Sequence, residues 1–223
     1  TSLSPLLTGT AGSPYSVVLT VADGTAPYVW TVSSGAVPGG LALGSAGVLS
    51  GTPTAAGTFN FTAQVTDNTS LVATKPFSIT INTPFASWTA GVFTVAEQAD
   101  SATSGLMADP NHNGVANLLE FALNRDPKAE NFTPPLATGL TTDSGTGNQY
   151  LTVTYSRRIA PSGITCHVEV SSDLAVWNAG SFYTEEESVT DDGNGITQTV
   201  KVRVLTPMNQ AGKVFTRLRV TQP

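Results

Sequence analysis

The stretch Asp109-Pro-Asn-His-Asn-Gly-Val-Ala-Asn-Leu-Leu-Glu120 concentrates the chemistry of this sequence. Counted from Asp109, oxygen-bearing side chains fall at the first, third, fifth and ninth positions: Asp109, Asn111, Asn113 and Asn117. Gly114 is sixth, where a loop wrapped around an ion must turn sharply. Val115 is seventh, where a backbone carbonyl can point inward, and Glu120 is twelfth, where one carboxylate can give both oxygens. Calcium is a hard cation that takes about six to eight oxygens in a loose shell, and a loop of this spacing supplies most of them. Asn111 and Asn113 stand where stronger loops carry Asp, so only two carboxylates face the ion. Lower ligand charge implies weak binding, with a dissociation constant on the order of 10⁻⁵–10⁻³ M. A cytosol poor in free calcium would leave such a loop empty, which favours an extracellular setting. The alternative for the same residues is an Asx-rich turn that caps the following helix and holds no metal.

Other candidate chemistry is thin, and no catalytic residues are expected. His112 and His167 are the only histidines. His112 takes a variable loop position, and His167 faces the wet side of an alternating strand. The single cysteine, Cys166, lies in Ile164-Thr-Cys-His-Val-Glu-Val170 on the apolar side, where a buried, inert thiol is expected. No nucleophile motif and no glycine-rich phosphate loop before a helix is present. Trp30 alternates with core residues, and Trp88 suits packing at a domain boundary. Trp177 is the candidate for stacking on a sugar, or else lies in or near a core. Lys201, Arg203, Arg217 and Arg219 alternate with apolar residues on two successive strands. If those strands pair, four cations share one face that could take an acidic polysaccharide. Otherwise they pair across strands with Glu169 and the Glu185-Glu-Glu187 run. The sequons at Asn60, Asn68 and Asn131 are read as accidental.

These residues need a frame, and the pattern gives an all-β one. Residues 1–83 read as about seven short strands. Phe59-Asn-Phe-Thr-Ala-Gln-Val65 alternates with Asn60, Thr62 and Gln64 on the wet side, and Phe77-Ser-Ile-Thr-Ile81 closes the set. Residues 84–132 form a connecting segment with the calcium loop and a short helix. Val115, Leu118, Leu119, Ala122 and Leu123 share one helical face, Asn124 suits a left-handed C-cap, and Pro127 stops the helix. The Ser101–Gly105 stretch is a poor helix former, so a full entering helix is not expected. Phe132-Thr-Pro-Pro135 reads as a linker into residues 133–223, a second sandwich whose strands include alternating Leu151, Val153 and Tyr155, and Val200, Val202 and Val204. Asp192-Gly-Asn-Gly195 is a turn signal.

Composition narrows the function. The chain has 223 residues, 40% hydrophobic and only 12% charged, so a packed core in each domain is plausible. The net charge of −6 is concentrated in the middle segment and disfavours nucleic acid, which needs a basic footprint. No run approaches the ~18 apolar residues of a membrane helix, so no membrane insertion is expected. Thr1 is not an initiator Met, and a mature or excised piece of a longer protein is expected.

Gly39-Gly-Leu-Ala-Leu43, Gly47-Val-Leu-Ser-Gly-Thr-Pro53, Ala56-Gly-Thr-Phe59 and Val65-Thr-Asp67 resemble the Ig modules, some of them cadherin-like, repeated in large bacterial surface proteins. The loop-helix resembles the single units of thrombospondin type 3 and dockerin repeats; a true dockerin carries two, so cohesin docking is not expected. Residues 85–223 resemble the C-terminal region of large planctomycete and verrucomicrobial surface proteins. There a similar loop-helix precedes a sandwich like the one carrying Tyr150–Tyr155, Val170–Leu174, Trp177 and Phe215–Val220. These resemblances imply a non-catalytic structural or adhesion module at the cell surface or outside the bacterial cell. It would be stabilised by Ca²⁺ through Asp109, Asn111, Asn113, Val115, Asn117 and Glu120, and could assemble with itself into a fibre or sheath by strand addition. The alternative is a carbohydrate-binding accessory module of a secreted polysaccharide-degrading enzyme, with Trp177 or Tyr183 on a flat face.

Overall fold

The computed structural model describes residues 2–130, 136–159 and 163–222. The sequon at Asn131, the Phe132–Pro135 linker and the expected 132/133 boundary lie outside them. The chain divides into two compact units, 1–88 and 89–223. Among the described residues no helix is long and apolar enough to cross a membrane.

The first unit is a sandwich. One sheet has the order β1 (Gly9–Thr10), β7 (Val72–Asn82), β6 (Gly57–Thr66), β3 (Val29–Gly35). The facing sheet has the order β2 (Tyr15–Val18), β5 (Val48–Gly51), β4 (Leu41–Leu43). Strict alternation explains the pairing of β6 with β7: Phe61, Ala63 and Val65 point inward from one, Phe77, Ile79 and Ile81 from the other. A one-residue slip of either strand would turn its three inward residues out, so the register is strongly fixed. Asn60, Thr62 and Gln64 take the outer face, as their alternation predicts. Leu49 and Ile79 are fully buried, each worth about 1.5–3 kcal/mol in water exclusion. Trp30 joins this core. Asp67 closes the β6–β7 turn by accepting from the N–H groups of Thr25, Thr69 and Leu71. Those bonds hold its carboxyl down at about 2, with Thr25 contributing most.

The second unit is also a sandwich, of four strands on two. The larger sheet runs β11 (Thr184–Asp191), β12 (Thr197–Val204), β9 (Gln149–Arg158), β8 (Ala137–Thr142), and the smaller is β10 (Thr165–Ser171) with β13 (Phe215–Thr221). The Asp192–Gly195 turn joins β11 to β12 as its residues predict. Val153 and Tyr155 of β9, Val200 and Val202 of β12 and Val168 of β10 form the core. Among the described residues the helices all fall within the one segment where the sequence shows a helical pattern. They are α1 (Pro84–Val92), α2 (Val95–Gln98), α3 (Ser101–Ser104) and α4 (Asn117–Ala122).

The segment expected only to connect two sandwiches is divided between them. Pro84–Trp88 falls in the first unit, where the Trp88 and Phe85 rings lie 5.5 Å apart. The loop and α4 fall in the second, and their apolar face is core there: Leu123 is 6% exposed and Leu119 packs beside it.

Candidate functional site

Three short elements position the loop. Thr94 and Glu97 form a reciprocal cap that starts α2, each bonding the other's backbone N–H. Lys128 Nζ then donates to Glu97 Oε2 at 2.8 Å, tying the far side of the loop-helix back to α2. Asp100 caps α3, and this cap gives the poor helix former Ser101–Gly105 one turn of helix before the loop. After α4, Asn124 takes φ +53°. Asn124 N–H donates to Phe121 O, and Arg125 N–H donates to Glu120 O, so the C-terminus closes in a Schellman turn.

The loop folds on its own side chains. Asp109 Oδ1 accepts from Asn113 N–H at 3.1 Å and Oδ2 from Gly114 N–H at 2.8 Å. Asn111 Oδ1 faces the same Asn113 N–H, and its amide nitrogen is held by Ala129 O at 2.6 Å. Asn113 Oδ1 accepts from Val115 N–H at 2.8 Å, while its Nδ2 donates to Glu120 Oε1 at 3.0 Å. Gly114 has φ +81°, the left-handed turn expected at the sixth position. His112 is exposed.

Asp109, Asn111, Asn113 and Glu120 are therefore drawn into one hydrogen-bonded group, and Val115 is joined to it through its backbone. Asn117 is turned elsewhere. Its amide nitrogen donates to Thr103 O and Gly105 O, at 2.9 and 3.0 Å, and it is fully buried. The loop's polar side chains do not cap α4. Its N-cap is Ala116, with no side-chain bond, and its first amides go to Ala108 O and Leu106 O. The Asx bonds of Asp109 and Asn113 thus close within the loop and do not reach the start of α4.

The fit to a cation rests on two oxygens. Asn117 Oδ1 and Glu120 Oε2 are buried and accept no hydrogen bond. Arg125 Nε lies 3.2 Å from Glu120 Oε2, an ion-pair contact rather than an aligned hydrogen bond. Buried oxygens without donors are costly unless something else neutralises them. The side chains drawn together in the loop offer oxygens, which suits calcium better than zinc, while the His112 imidazole is exposed. Among the described residues no three or more His, Cys, Asp and Glu side chains cluster to hold a metal. The loop brings two carboxylates, and the rest of its donors are amide and carbonyl oxygens.

The remaining candidates are placed as follows. The two cationic strands do not pair: β12 lies between β11 and β9, and β13 pairs with β10. The four cations therefore share no face, and each takes a carboxylate. Arg203 pairs with Glu185, Lys201 with Glu187, and Arg217 and Arg219 both with Glu169. Trp177 lies outside the core, half-buried. The Arg217 guanidinium is stacked 4.2 Å from its ring centroid, covering one face. The cause is local, since Asn178 bridges to Val170 and lays the preceding residue over the outer side of β10 and β13. Phe182 (91% exposed) and Tyr183 (41%) stand in the same connection. Cys166 packs against the core, and burial pushes its thiol upward, while His167 points to the opposite face and is exposed. A cleft of about 390 Å³ in the first unit is walled mainly by apolar side chains, with Asp67, already fully hydrogen-bonded, among them.

Sequence reasoning missed Thr94, Glu97 and Arg125. Thr94-x-x-Glu97 is a capping signature, readable in advance. Arg125 follows from Asn124, because a left-handed residue after a helix folds the next one back over it.

No curated protein matches the chain. Among solved structures, a crystal structure described as a "putative alpha-galactosidase" from Bacteroides fragilis is 26% identical over 34% of this chain, with a TM-score of 0.30. A "putative alpha-galactosidase/melibiase" from the same organism is 20% identical over 36%, with a TM-score of 0.32. This chain covers 15% and 17% of those proteins' lengths. Residues 1–82 match the family model described as "Putative Ig domain". With the two-sheet topology of residues 9–82, that match makes the first unit an Ig-like β-sandwich module.

Proposed function

We propose that this chain is a non-catalytic structural or adhesion module of the bacterial cell surface or exterior, with one Ca²⁺ bound by the Asp109–Glu120 loop. The observation that supports it most is the buried Glu120 carboxylate inside a loop of oxygen donors, its Oε2 accepting no hydrogen bond and meeting the Arg125 guanidinium at 3.2 Å. Asp109, Asn111, Asn113, Val115 and Glu120 would hold the ion. Asn117 Oδ1 would be the remaining donor, its amide nitrogen staying with Thr103 O and Gly105 O. Binding requires Asn113 Nδ2 to release Glu120 Oε1, so that the two side chains share the cation instead of a proton. Since Leu119 and Leu123 of the same helix are core residues, loop closure would stabilise the C-terminal sandwich by linkage. The neutral edge strand β8, with Leu140 57% exposed, offers a route to self-assembly by strand addition.

Equilibrium dialysis against ⁴⁵Ca²⁺ tests the reading. One site is expected, with a dissociation constant on the order of 10⁻⁵–10⁻³ M, lost in Glu120→Gln. Absence of binding up to about 10 mM, ten times the weak end of that range, overturns it. The exposed Phe182 and Tyr183, in the same β10–β11 connection as Trp177, favour a second reading, a carbohydrate-binding accessory module. A shift in tryptophan fluorescence with glycan that is lost in Trp177→Ala would support it.

A further inference from the structure

We propose that Arg125 is a built-in rival to the cation: it neutralises Glu120 when the loop is metal-free, and thereby sets the calcium affinity at the weak end. This inference rests on the calcium reading above.

The geometry behind it is specific. Glu120 is 1% exposed in its side chain, and Arg125 is 20% exposed, so water contributes little to either charge. Nε of Arg125 lies 3.2 Å from Oε2, the oxygen that a bidentate ligand at the twelfth position must offer to the ion. Arg125 is placed there by the backbone and not by chance of rotamer. The left-handed Asn124 reverses the chain, and Arg125 N–H reaches Glu120 O at 2.7 Å. Glu120 thus receives a backbone and a side-chain contact from Arg125.

Two consequences of opposite sign follow. Without metal, the guanidinium supplies the counter-charge that a buried carboxylate needs. With metal, it is a like charge within a few ångströms of a divalent cation in a poorly solvated site, and it opposes binding whether or not it leaves Oε2. An arginine with a purely structural role would lower metal-free stability and calcium affinity together when removed. A rival lowers the first and raises the second.

The test uses the full chain, stripped of calcium, in wild-type, Arg125→Gln and Arg125→Lys forms. Calcium is titrated calorimetrically, and thermal melts are recorded in excess chelator. Arg125→Gln is expected to melt lower in chelator yet bind calcium on the order of tenfold more tightly, as removal of one close charge implies. Arg125→Lys keeps the charge and should bind within about twofold of wild type on the same grounds. If the Gln variant folds only with metal, its affinity is read from the calcium dependence of its melting temperature. Equal or weaker binding by Arg125→Gln, with wild type binding normally, overturns the role of Arg125 and leaves the calcium site standing. No binding by either overturns both.

Discussion

Replacing Leu123 by Ala probes whether the loop-helix is core or appendage. Leu123 is 6% exposed and packs in the cluster of Val153, Tyr155, Val168, Val200 and Val202. Leucine-to-alanine changes at such sites cost about 2–5 kcal/mol, the spread reflecting how far neighbours collapse into the space. α4 has only six residues and is marginal by itself, so it can shift inward, which places the cost near 2.5 kcal/mol. With a urea m-value of about 1.5 kcal/mol/M for a unit of this size, the midpoint falls by ~1.7 M. The decisive assay is native-state hydrogen exchange. The slowest amides of β9 and β12 should exchange roughly 70-fold faster, the factor equivalent to about 2.5 kcal/mol. A cost under about 0.5 kcal/mol, the range of ordinary surface substitutions, with β9 and β12 protection unchanged, would refute the placement of α4 in this core.

Two further outcomes are expected. Glu169→Gln should destabilise the second unit by about 1 kcal/mol at pH 7, a modest value because Arg217 and Arg219 are about half exposed and regain water. Burial pushes the Glu169 carboxyl up, but the bonds from Arg217 and Arg219 outweigh it and hold it below the ordinary glutamate value. Its contribution is therefore full above the unfolded value and lost as pH falls through the lower folded one, so melts of wild type and variant should converge in acid. Asn124→Ala should cost about 1 kcal/mol at a left-handed position, and Asn124→Gly a few tenths at most, read from urea midpoints. Equal effects of the two would contradict the Schellman turn.

The frame was legible because its signals are local and periodic. Alternation in Phe59–Val65 and Phe77–Ile81 specifies which side chains face inward, and β6 and β7 follow from it. Asn124 and Pro127 announce the helix end. Strand order is a tertiary property, and the separation of β12 from β13 was not readable from two adjacent alternating runs. Each strand's cations found carboxylates on a different neighbour. Trp177 misleads for a similar reason: its type suggests a core, but the Asn178–Val170 bridge lays it on the outer face, where Arg217 stacks on it. In the loop, spacing indicated the residues that come together, Asp109, Asn111, Asn113 and Glu120. It did not show Asn117 turning toward Thr103 and Gly105, because those partners lie upstream of the motif.

The most direct test of the central claim is a thermal melt of calcium-stripped protein in excess EDTA and in about 5 mM calcium, repeated with Glu120→Gln. With a dissociation constant near 10⁻³ M, the weak end of the range, the linkage is worth about 1.1 kcal/mol, or ~4 °C for a unit of about 135 residues. The account predicts that rise for the wild type and its loss in the variant. Identical melts with and without calcium, in protein shown by mass spectrometry to be metal-free in EDTA, would contradict it.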